Sequence, residues 1–65
     1  MSAPVPIDRQ IACVKRELRL RERVYARRVA EEKMTQTDAD IELQAMGAVL
    51  ETLERVRAVV LPELF

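Results

Sequence analysis

One cysteine, eleven carboxylates and eleven lysines or arginines are the side chains best suited to chemistry in this 65-residue chain, and histidine is absent. Without histidine there is no Ser-His or Cys-His pair for nucleophilic catalysis. Zinc would have to be held by Cys13 and carboxylates alone, a poor ligand set. The only glycine is Gly47, so no glycine-rich loop exists to cradle a phosphate. The close carboxylates, Glu31-Glu32 and Asp38 with Asp40, fall at helix ends or on exposed faces, where capping and solvation account for them. Cys13 could be a reactive or intermolecular thiol; the plainer reading is a small residue at the edge of an interface. The residues therefore point to binding and away from catalysis, with no enzyme activity, cofactor or metal expected.

The cations offer a binding surface. Arg16, Arg19, Arg23 and Arg27, with Lys15 beside them, form a strip along one helix. Such a strip suits phosphates or an acidic protein surface. Against a nucleic-acid partner stands the net charge of zero, with Glu17, Glu31 and the acidic second half available to neutralise the strip. Tyr25 is the only aromatic residue besides Phe65, and Tyr and Arg are enriched at binding hot spots. Arg23, Tyr25, Arg27 and Arg28 are accordingly the candidate partner-binding patch.

The elements that position these residues follow from periodicity. Ile7, Ile11, Val14, Leu18, Tyr25 and Val29 fall within about 40° of one line when each residue advances 100° round a helix. The spacing predicts a first helix over about 7–33, with Asp8 placed to meet the positive end of its dipole. Arg21 and Glu22 fill the one missing slot of the stripe. Charges there must be paired or must reach outward; the partner could be a second copy or Glu51. The break comes at about 33–36. Thr35 with Asp38, or Thr37 with Asp40, has the spacing of a helix cap, and the sequence does not choose between them. A second helix is predicted over about 36–60, striped by Ala39, Leu43, Met46, Leu50, Leu53 and Leu61, and widened on one side by Val49, Val56 and Val60. Pro62 ends it by pushing Leu61 out of the helical region, leaving a tail at 61–65.

A connection this short makes the helices antiparallel neighbours. The fold class is all-α: one domain, 1–65, a two-helix hairpin. Its register sets residue i near 69 − i to within a turn, so that Leu18 meets Leu50 and Leu53, Val29 meets Ala39 and Leu43, Ile11 meets Arg57 and Leu61, and Tyr25 lands near Met46 and Gly47. Gly47 would make room there for the Tyr25 ring, or for another helix crossing closely. From Asp8 to Lys33 nine Lys/Arg face five Asp/Glu, a net +4, while from Met34 to Phe65 two face six, a net −4. A chain folded back on itself brings these halves together.

So short a chain buries too little to be stable unaided. One cysteine allows no internal disulfide, which leaves association. The wide apolar arc of the second helix, and a second line of Cys13, Leu20 and Val24 on the first, suit two hairpins pairing into a four-helix bundle. Leu18, Leu20, Val24, Met46, Val49, Leu50, Leu53 and Val56 are the expected core and dimer residues. The alternative is a monomer that folds fully only on its partner. No apolar run approaches the roughly 20 residues of a membrane span. The first residues lack the features of a signal peptide, and a single cysteine suits a reducing interior. A cytoplasmic location is expected, with no membrane partner.

The segments Ile11-Ala-Cys-Val-Lys-Arg-Glu-Leu and Arg21-Glu-Arg-Val-Tyr-Ala-Arg-Arg-Val, then Lys33-Met-Thr, Ala39-Asp-Ile-Glu-Leu and Ala48-Val-Leu-Glu-Thr-Leu, resemble a family of small, uncharacterised phage and prophage helical-hairpin proteins over about residues 7 to 53. Members often carry proline after the tyrosine and glycine before the lysine. Ala26 and Glu32 stand here instead, which implies a straighter and longer first helix. The resemblance implies a temperate-phage origin and residence in the host cytoplasm. It further implies a protein that binds and modulates a host or phage protein, for example a host transcription regulator such as a quorum-sensing activator. A nucleic-acid-binding accessory protein, or a purely structural or assembly module, are the other readings.

Overall fold

The computed structural model of the chain describes residues 4–61. Helix α1 spans Ile7–Ala30 and helix α2 spans Gln36–Val60. The turn 31–35 folds them into an antiparallel hairpin in which the two pack along each other. No strand occurs among the described residues.

Each boundary has a local cause. Pro6 sits before α1 with φ −58°, and its carbonyl accepts from the N–H groups of Arg9 and Gln10 at 3.1 Å each. No side chain caps this end, but Gln10 Nε2 reaches back to the Val5 carbonyl at 2.8 Å. Asp8 occupies the first turn as expected. The far end of α1 differs from the sequence reading: the helix stops at Ala30, three residues before Lys33. There the Glu32 N–H donates to the Val29 carbonyl at 3.1 Å and the Lys33 N–H to the Arg28 carbonyl at 2.8 Å. Glu32 lies between them in the left-handed region, φ 59°. This pair of reversed bonds is the Schellman closure, which satisfies the last carbonyls of a helix and normally places glycine at the left-handed position. A glutamate in that slot did not lengthen the helix, because the closure formed around it.

Helix α2 begins where its cap sets it. The Thr35 hydroxyl oxygen accepts from the Asp38 N–H at 3.1 Å, so Thr35 and not Thr37 is the cap. Gln36 Nε2 adds a bond to Asp40 Oδ1 at 2.9 Å. At the other end Leu61 leaves the helical region at φ −127°; Pro62 and the rest of the tail lie outside the described residues.

The two stripes meet as the periodicity requires. Ile11 is 7% exposed and Ala39 1%, and these are the buried apolar residues of the hairpin among those described. Leu18, Tyr25, Val29, Leu43, Met46, Leu50 and Leu53 are half-buried between the helices. Lys15 pairs with Glu54 across the hairpin at 3.9 Å, and Asp8 pairs with Arg57. The first contact sits on the 69 − i register and the second within one turn of it. Two sequence readings are corrected. A Cβ placed on Gly47 would meet nothing within 4 Å, so its missing side chain does not make room for Tyr25. Arg21 bonds to Glu17 on its own helix at 3.3 Å, not to Glu51.

Candidate protein-interaction surface

Every positively charged residue of the strip lies on α1, and helix geometry fixes where each one points. At 100° per residue, Arg9, Arg16, Arg23 and Arg27 fall within about 40° of one another, on the side of α1 turned away from α2. All four are exposed, and none has an ion-pair partner among the described residues. The acids expected to neutralise the strip are engaged elsewhere: Glu17 with Arg21, and Glu31 with Lys33 at 3.8 Å. Glu54 holds Lys15, which leaves the outward arginines bare. Arg9 was missed by the sequence reading. Its signal was the seven-residue spacing 9, 16, 23, which returns to the same side after two turns.

The four residues of the expected patch do not share one side. Arg23 and Arg27 lie on the outward line. Arg28 lies about 100° from Arg27, on the side of the Glu17–Arg21 pair. Tyr25 is half-buried in the seam facing α2. Its hydroxyl lies near Arg21, whose guanidinium is held protonated above its ordinary range, first by the hydrogen bond it donates to Glu17, with desolvation opposing this and Tyr25 adding a lesser favourable contribution. Glu17, Arg21 and Tyr25 therefore form one polar cluster at the middle of α1, which accounts for Arg21, one of the two charges that interrupt the apolar stripe; the other, Glu22, is exposed.

A second surface is apolar. An open groove between the helices is lined by Val5, Cys13, Val14, Val49 and Leu53, with Arg9 and Arg16 at its edge. Leu20, Val49 and Val56 stand 44%, 47% and 43% exposed, and Ile41, Val59 and Val60 are exposed as well. Of the expected core and dimer residues, Leu18, Met46, Leu50 and Leu53 lie between the helices. Val24 is half-buried, and Leu20, Val49 and Val56 stay outside the hairpin's own contact. Cys13 is exposed as a free thiol. Among the described residues no three His, Cys, Asp or Glu side chains gather as a metal site, and no helix is long and apolar enough to cross a membrane. No protein-family model, curated protein or solved structure matches the chain.

Proposed function

We propose that this hairpin is a non-catalytic protein-interaction module. Its outward arginine strip, centred on Arg23 and Arg27, docks on an acidic surface of another protein. The observation that supports this is the bare strip itself: four exposed arginines on one side of α1, none consumed by the acids of the same chain. Unpaired guanidiniums are preorganised for carboxylates in a bidentate geometry. The apolar groove supports the companion reading that the chain acts as a homodimer forming a four-helix bundle. In the phage setting implied by the resemblance, the partner is a host or phage protein in the host cytoplasm. A host transcription regulator such as a quorum-sensing activator is one such partner, disabled when its DNA-binding surface is covered.

The same strip could follow a phosphate backbone, and this second reading is distinguished by experiment. Wild-type protein and an Arg23→Glu/Arg27→Glu variant are each used to capture partners from a bacterial lysate, with and without nuclease. A protein retained by the wild type, lost with the variant and indifferent to nuclease supports the proposal. Retention that disappears with nuclease favours the nucleic-acid reading. Equal capture by both baits removes the strip from the binding surface.

A further inference from the structure

The hairpin is a single layer of two helices, 48 × 31 Å in extent and 16 Å through. Stable domains pack a second layer on the first; with Ile11 and Ala39 as its buried apolar residues among those described, this layer is open on both faces, and one of them is apolar. Which face is settled by the grooves. Cys13 and Val49 line one side of the hairpin together, while the ion pairs Asp8–Arg57 and Lys15–Glu54 line the other. On the first side, α1 carries positions 13, 17, 20 and 24, in steps of four, three and four. Read in the reverse direction, α2 carries 56, 52, 49 and 45, with identical steps. That is the spacing of a helix–helix seam.

We propose that this face is covered by a second copy of the chain, related by a twofold axis running parallel to the helices, so that α1 of each copy lies along α2 of the other. The inference rests on the homodimer reading above and specifies its geometry. A rotation about such an axis moves nothing along the helices. Each α1 residue must therefore meet, in the second copy, the α2 residue level with it in its own hairpin. The Lys15–Glu54 contact sits on 69 − i and Asp8–Arg57 about one turn from it, which sets that level at 69 − i to within a turn. The axis adds no shift of its own, so on the 69 − i level Leu20 faces Val49 of the second copy, Val24 faces Ala45, and Cys13 faces Val56. Glu17, already bonded to Arg21, faces Thr52, whose hydroxyl donates to a carboxylate at this position. The two exposed lines coincide along their whole length.

Charge selects the same axis. The geometry sets the basic α1 over the acidic α2, and Arg28 falls level with the stretch of the second copy that holds Asp38 and Glu42. A twofold perpendicular to the helices would stack α1 on α1, basic on basic. The size is also adequate. Two helices of about 36 Å by about 10 Å present roughly 700 Å², near the ~800 Å² per partner of a stable interface. All neighbouring helices run antiparallel, as in an up-down bundle.

Disulfide trapping on the full chain tests this. Facing Cα atoms of helices packed 8–10 Å apart lie about 4–6 Å from each other, within disulfide reach. Val56→Cys, combined with the native Cys13, is expected to give a disulfide-linked dimer of about 15 kDa under a mild oxidant, twice the 7.5 kDa chain. Cys13→Ser should abolish it, and Ala58→Cys on the opposite face should give none. Equal linkage by Val56→Cys and Ala58→Cys, or linkage of Val56→Cys or Thr52→Cys in the Cys13→Ser background, overturns the arrangement. A dimer by light scattering without the Cys13-dependent link also overturns it while leaving the homodimer standing. A 7.5 kDa particle overturns both.

Discussion

At the scale of single residues, Glu32 and Gly47 are each the less stable choice for their backbone, and each makes a prediction. Glu32 holds φ 59° in a region that costs an L-residue about 1–2 kcal/mol, so Glu32→Gly should stabilise the fold, by up to about 1 kcal/mol after glycine's own entropy is subtracted. Thermal unfolding at fixed protein concentration measures it; a lower midpoint would show that the glutamate side chain compensates in the turn. Gly47 lies within α2 with open space where its Cβ would stand. Gly47→Ala should therefore add about 1 kcal/mol of helix propensity. By helix geometry it sits on the side of the ion pairs, so the gain should come with no change in oligomeric mass. Loss of the dimer on this substitution would mean that another helix passes close to Gly47.

At the scale of the elements, Thr35 is the test. Its hydroxyl satisfies an N–H that would otherwise be unpaired at the start of α2, and Thr35→Ala should cost about 1 kcal/mol, whereas Thr37→Ala, with no capping bond, should cost little; equal effects would remove the cap from the account. The stripes of both helices were legible because burial on one side leaves a 3.6-residue period that few other structures imitate. So were the start of α1, both ends of α2, and the antiparallel register. The end of α1 was not legible. A Schellman closure depends on which backbone carbonyls lack partners, and Glu32 carries no chemical mark of a left-handed φ. The choice between Thr35 and Thr37 was hidden for a similar reason: both have a carboxylate three residues on, and only the turn geometry separates them. On the surface, Arg16, Arg19, Arg23 and Arg27, with Lys15 beside them, could be read as a strip, but Arg19 lies about 60° off its line and Lys15 turns to Glu54. That their neighbouring acids were already taken by Arg21, Lys33 and Lys15 depends on side-chain reach, which spacing alone does not reveal.

At the scale of the whole molecule, stability and association are one question. Leu50 is only half-buried in the hairpin, yet Leu50→Ala should cost about 2 kcal/mol or more. In so small a chain that is enough to lose most of the helical circular-dichroism signal at micromolar concentration; an unchanged melting curve would place Leu50 outside the core. If the basic helix lies over the acidic one of a second copy, Arg28→Glu should weaken the dimer about tenfold. Glu42→Arg in the same chain should restore it, as read by light scattering over a dilution series. A weakened dimer that the second change fails to rescue would mean that Arg28 acts otherwise than by charge.

The thinness of the layer has a thermal consequence. Heat capacity of unfolding follows the apolar surface newly exposed to water, and a hairpin whose fully buried apolar residues, among those described, are Ile11 and Ala39 has less to expose when it melts alone than when it is paired. In the proposed dimer, most of the curvature in its stability against temperature would then come from the surface closed between copies. Diluting the protein should lower the melting midpoint by mass action. At the dilute end, the broad and shallow transition of a lone helical hairpin should replace a cooperative one, so that the sharpness of melting itself reports how much of the chain is paired.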